Sequence, residues 1–115
     1  MINKMIETSE AISDVMLGTF GVEEYYFFYK RKYRWSIYYY HEQDDYYLYY
    51  YKVELPIVDL ANMDTSMLTF IKYQSSEFKS KEATESFAEL YNIVKGKLLG
   101  MDDVIDDILN DPTIY

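Results

Sequence analysis

Apolar residues recur at helical spacing near both ends of the chain and crowd into strand-like runs between them. In residues 2–17, Ile2, Met5, Ile6, Ile12 and Met16 fall on one stripe while Glu7, Glu10 and Asp14 turn away, which predicts an N-terminal helix. Gly18 and Gly21 then stop the helix and let the chain turn. Residues 22–55 read as three antiparallel strands, Val22–Lys30, Tyr33–His41 and Tyr46–Leu55, because Tyr, Phe, Trp, Ile and Val dominate them. Arg31-Lys32 and the polar loop Glu42-Gln43-Asp44-Asp45 join these strands, and Pro56 ends the third or sets it at an edge. Met67–Tyr73 reads as a fourth strand or as a short helix capped by Asp64 or Ser66, and its composition favours the strand.

Residues 80–99 carry the clearest helical signal. Ser80 is a capping residue, Glu82 and Glu85 suit the first turns, and Lys95 and Lys97 suit the last. Ala83, Phe87, Leu90, Tyr91, Val94 and Leu98 form its apolar stripe, and Gly100 is a stop signal. A last short helix is expected at 102–110, closed by Pro112. The predicted class is therefore α+β, in a single domain over residues 1–115. It is a three- to four-stranded antiparallel meander with an N-terminal helix and two C-terminal helices packed on it.

Sorting the strands by alternation gives two faces. Pairing His41 with Tyr46, and Lys30 with Tyr33, puts Tyr26, Phe28, Trp35, Ile37, Tyr39, Leu48 and Tyr50 on the face expected to floor the helices. The other face receives Tyr25, Phe27, Tyr29, Tyr38, Tyr40, Tyr47, Tyr49 and Tyr51. A one-sided sheet would show Thr, Lys, Glu and Ser there, so these rings call for a cover. Three covers compete: the chain's own helices, a second copy packed sheet to sheet, or another partner.

Composition narrows the partner. The chain has 115 residues, 15 of them Tyr, with 11 basic and 20 acidic side chains and a net charge of −9. That balance argues against a surface that grips nucleic acid or anionic membrane throughout. With no Cys and one His, disulfide scaffolds, Cys-type zinc sites and a catalytic cysteine are excluded. No run approaches a membrane span and the N-terminus lacks a signal core, so a cytoplasmic protein is expected. Scarce Gln and Asn with abundant Lys is a composition also met in thermophile proteins.

Four clusters carry candidate chemistry. Lys30, Arg31, Lys32 and Arg34 gather on one hairpin tip beside Tyr29 and Tyr38, where cations would track phosphates while rings stack on bases. Asp102, Asp103, Asp106 and Asp107 line one side of the last helix. They read as a solvated face, a negative surface for a basic partner, or the start of a metal-dependent hydrolase or nuclease site that needs ligands from elsewhere. His41 ends a strand with no nucleophile beside it. The Tyr face is the fourth. No set supplies nucleophile, base and charge stabiliser together, so no catalytic residue, metal site or cofactor is assigned and no enzymatic activity is expected.

The reading that follows is a small acidic adaptor or inhibitor, homodimeric and of the kind viruses and plasmids encode. Its expected interaction surface is Tyr25, Tyr29, Tyr38, Tyr40, Tyr47, Tyr49 and Tyr51, with Asp102, Asp103, Asp106 and Asp107 facing a basic protein. The alternative is a single-stranded nucleic-acid binder using Lys30, Arg31, Lys32 and Arg34 with the tyrosine face.

Overall fold

Five strands form one antiparallel meander in sequence order, in a computed structural model that describes residues 1–20 and 22–99. They are β1 (Ile12–Leu17), β2 (Glu24–Tyr29), β3 (Tyr33–Tyr40), β4 (Asp45–Tyr51) and β5 (Phe70–Gln74). Among the described residues three α-helices accompany them: α1 (Ile2–Glu7), α2 (Ile57–Ala61) and α3 (Lys81–Leu98). The α+β class and the meander stand, with five strands where three or four were expected. The expected helix at 102–110 lies outside the described residues.

The helix expected over 2–17 stops at Glu7. Thr8 closes it by donating both its N–H and its hydroxyl to the Lys4 carbonyl, at 3.0 and 2.6 Å. Residues 12–17 instead pair with β2 as an edge strand. Their alternation is hidden by a bulge between Ser13 and Met16, with Asp14 in the left-handed region at φ 54°. The bulge sends Ile12 and Val15 to one face and Met16 to the other, a spacing that imitates a helical stripe.

One face of the sheet holds the core. Met5 of α1 and Phe87, Leu90, Tyr91 and Val94 of α3 pack there against Phe27, Trp35, Ile37 and Leu48. Burial of each such side chain contributes about 1.5–3 kcal/mol. Trp35, Ile37, Phe87 and Leu90 thus share one core, as the pattern predicts. Ser80 caps α3 as expected, its hydroxyl accepting from the Ala83 N–H at 3.0 Å.

The expected faces hold for β3 and β4 but reverse for β2. Tyr29, not Lys30, lies opposite Tyr33, because the turn contains three residues rather than two. Lys30 and Arg31 both take positive φ, 58° and 52°, and Lys32 N–H reaches back to the Tyr29 carbonyl. A one-residue slip moves every side chain of the strand to the other face. Tyr25, Phe27 and Tyr29 therefore belong to the helix side, and Tyr26 and Phe28 to the opposite side. The β3–β4 register differs by an even step, with Ile37 opposite Leu48, so its faces survive.

The segment expected as strand or helix supplies both. Asp64 caps a 3-10 turn at Thr65–Met67 by accepting from the Ser66 N–H at 3.0 Å, and β5 follows it. The third strand ends at Tyr51, and Pro56 precedes α2, a helix the pattern did not announce. No helix among the described residues is long and apolar enough to cross a membrane.

Candidate functional site

The sheet face turned away from α1 and α3 carries Glu24, Tyr26 and Phe28 on β2, Ser36, Tyr38 and Tyr40 on β3, and Tyr47, Tyr49 and Tyr51 on β4. The chain covers half of it. Tyr26 and Tyr51 are buried with Ile57, Leu60 and Ala61 beneath α2. Tyr38, Tyr40, Tyr47 and Tyr49 stay half-buried. The rings of Tyr38, Tyr47 and Tyr49 stack as a ladder: Tyr38 and Tyr47 are 4.9 Å apart and 6° from parallel, and Tyr49 lies 6.3 Å from Tyr38 at 5°. Cross-strand pairs of this kind stabilise the sheet while leaving a broad aromatic surface.

A pocket of about 260 Å³ opens where the covered and open halves meet. Glu24, Tyr26, Tyr38, Tyr49 and Tyr51 come from the sheet, while Phe20, Val22 and the stretch Met63–Ser66 come from the loops over it. Phe20, Val22 and Phe70 are 55, 48 and 40 % exposed, so apolar surface rims the opening. Among the described residues lining the pocket, two are acidic (Glu24 and Asp64) and none is basic.

Glu24 sits in a web of hydroxyls. The fully buried Ser36 donates to Oε2 at 2.5 Å, and the Tyr51 hydroxyl reaches the same oxygen at 3.4 Å. The Tyr26 hydroxyl donates to Oε1 at 3.2 Å. Thr65 Oγ1 lies 3.2 Å from the Tyr26 hydroxyl and 3.5 Å from that of Tyr51, tying the loop to the web. Burial pushes the Glu24 carboxyl above the ordinary glutamate range, against the pull of these donors. Burial, with the Glu24 charge beside it, also pushes the Tyr26 phenol up to about 12, so it remains a donor. Asp64 at the mouth is held below its usual range by the hydroxyl and N–H of Ser66. The arrangement is a half-buried carboxylate among aromatic rings, with a hydroxyl donor on each of its oxygens.

Of the expected surface, Tyr38, Tyr47 and Tyr49 share the open ladder, Tyr40 stands half-buried on the same face with its hydroxyl donating to Glu42 at 3.0 Å, and Tyr51 lies buried at the ladder's covered end. Tyr25 and Tyr29 lie on the opposite face, in the α1/α3 core. Tyr25 donates to Glu23 at 2.7 Å, and the Tyr29 hydroxyl meets Thr8 Oγ1 at 2.6 Å. Asp102, Asp103, Asp106 and Asp107 lie outside the described residues. Lys30, Arg31 and Lys32 are exposed at the turn. Arg34 is engaged internally: its Nε donates to the Leu55 carbonyl at 2.5 Å and its guanidinium lies 4.8 Å from the Phe28 ring centre. A shallow groove joins Arg31, Lys32, Arg34 and Lys52 with Tyr33 and Tyr50. His41 is exposed, its ring packed edge-on to Tyr39 at 4.6 Å.

Sequence reasoning missed Glu24. Its signal was parity: an acid two residues before Tyr26 shares that residue's face, where alternation otherwise places rings. No family model, curated protein or solved structure matches this chain, so the functional reading rests on the site itself.

Proposed function

We propose that this chain is a small protein-binding module, an adaptor or inhibitor, that docks a basic protein surface on its open tyrosine face. One observation carries the reading: a half-covered aromatic surface surrounds a pocket whose charged lining among the described residues, Glu24 and Asp64, is wholly acidic. Aromatic rims around a desolvated pocket are where interface energy concentrates. Tyr gives contact area at low rotamer cost, and a net charge of −9 steers cationic partners toward the site. A second copy is the competing occupant of the same face, and sedimentation velocity at micromolar concentration reads it. The groove at Arg31, Lys32 and Lys52 supports the other reading, a nucleic-acid strand, although burial of Tyr29 and the internal bonds of Arg34 remove two of its expected contacts.

Affinity capture from source lysate separates these readings when run with and without nuclease. The baits are wild type, Tyr38→Ala and Arg31→Ala. A protein retained through nuclease treatment by wild type and Arg31→Ala, and lost with Tyr38→Ala, is the expected result. A catch that vanishes with nuclease or with Arg31→Ala contradicts the proposal.

A further inference from the structure

Resting on that partner-binding reading, we propose that the Glu24 pocket is a receptor for one lysine side chain of the partner, whose ammonium docks on Glu24 Oε1. Charge and desolvation favour a cation. Among the described residues the two charged groups lining the pocket are carboxylates, and the half-buried Glu24 has no cation paired with it, which is costly for a partly desolvated charge. An entering ammonium supplies that counter-charge. The walls suit the rest of the side chain: Tyr26, Tyr38, Tyr49, Tyr51 and Phe70 offer apolar surface to a methylene stem and π density to a desolvated cation. Size agrees as well. At about 260 Å³ the pocket falls below the ~300–1,000 Å³ of sites for drug-sized ligands and fits a single side chain.

Hydrogen-bond capacity selects ammonium over guanidinium. A carboxylate offers about four acceptor directions. The Ser36 hydroxyl donates to Oε2 and accepts from the Tyr51 hydroxyl at 2.8 Å; the Tyr51 oxygen, 3.4 Å from Oε2, stands in that oxygen's other direction, and Tyr26 occupies one direction of Oε1. One direction on Oε1 remains. A guanidinium binds carboxylate best through two parallel bonds, one to each oxygen, and would have to displace one of the paired Ser36 and Tyr51 hydroxyls at Oε2. An ammonium needs only the remaining site. The exposed apolar side chains at the rim, Phe20 and Val22, then meet the residues flanking the lysine.

The test is an NMR titration with three capped amino acids: Nα-acetyl-lysine methylamide, its norleucine counterpart and its arginine counterpart. Each is added to wild type, Glu24→Gln and Tyr38→Ala. The lysine derivative is expected to bind in the millimolar range and to shift the Tyr26 and Tyr51 ring signals. Norleucine, and lysine on either variant, should bind about tenfold more weakly or not at all. Norleucine binding as well as lysine, arginine binding better than lysine, or Glu24→Gln retaining full affinity overturns the inference. Tyr38 is a half-exposed wall residue, so Tyr38→Ala keeps the test informative if Glu24→Gln disturbs the fold. A nuclease-resistant partner captured by a pocket with no lysine selectivity sinks this inference and leaves the proposed function standing. Lysine-selective binding with no partner captured supports the receptor and removes the wider reading.

Discussion

Gly18 approaches Tyr26 so closely that a Cβ on Gly18 would lie 2.7 Å from Cε2 of the ring. The contact follows from the end of β1, where Gly18 N–H donates to the Glu24 carbonyl at 2.8 Å and draws the two backbones together. Gly18→Ala should therefore push the Tyr26 ring toward the pocket it lines. The expected cost is about 1–3 kcal/mol, from overpacking. Urea unfolding checks it, and Tyr26→Leu in the same chain should recover part of the loss. Purely additive single and double variants would show that the two residues do not press on each other.

Asp45 fastens the β3–β4 turn to the end of β5. Its buried carboxylate accepts from Ser75 Oγ and Gln74 Nε2 at 2.5 Å each, and from the Ser76 and Tyr46 N–H groups at 3.0 Å each. Burial alone would raise this group, but the donors outweigh it and hold the carboxyl at about 2. Asp45→Asn places an amide N–H₂ against these donors and should cost about 1.5–3 kcal/mol at neutral pH. The folded value is depressed, so this contribution is present above the ordinary aspartate value of 3.8 and lost as pH falls toward 2. Melting curves from pH 5 to 2 should accordingly show wild type losing its advantage over Asp45→Asn.

Glu24 works in the opposite direction. Burial raises its folded value above the ordinary 4.5, so the native state holds this proton more tightly than the unfolded chain. Its effect on stability is neutral below 4.5, becomes unfavourable as pH rises through the folded value, and is constant above it. Glu24→Gln should match wild type in acid and exceed it at neutral pH, in parallel thermal melts. Equal stability at every pH would mean that the carboxylate carries no desolvation cost.

The β2–β3 turn stores strain. Lys30 and Arg31 stand in the left-handed region that Asn and Gly occupy easily. Lys30→Asn with Arg31→Gly should raise stability by about 1–2 kcal/mol, read as a shift in the urea midpoint with an unchanged slope. Because these residues sit apart from the Glu24 pocket, lysine-derivative binding should not change. A loss of stability would show that the Lys30 ammonium over Tyr29 outweighs the backbone strain.

The sequence showed some parts of this molecule far better than others, for physical reasons. Helix α3 was legible because its cap and apolar stripe agree, and Trp35, Ile37 and Leu48 were legible because alternation alone assigns their face. The β2 assignment failed on a single extra turn residue, since nothing local in Lys30-Arg31-Lys32 favours a positive φ. Strand β1 was masked by its bulge, and α2 by its brevity, since Ile57–Ala61 is too short to show a period. The need for a cover over the tyrosine ladder was visible from parity. The site within it was not, because Glu24 acquires its meaning from Ser36, Tyr51 and Thr65, residues 12, 27 and 41 positions away in the chain.

The most direct test of a basic protein docking on the tyrosine face is site-specific photo-cross-linking in source lysate. A benzophenone side chain is placed in turn at Phe20 on the pocket rim, at Arg31 on the basic turn and at Asn92 on the exposed side of α3. The expected result is a protein adduct at position 20 alone, whose cross-linked peptide contains lysine and which fades when the lysine derivative is added. Adducts confined to position 31, adducts to nucleic acid, or adducts only to a second copy of the chain would contradict it.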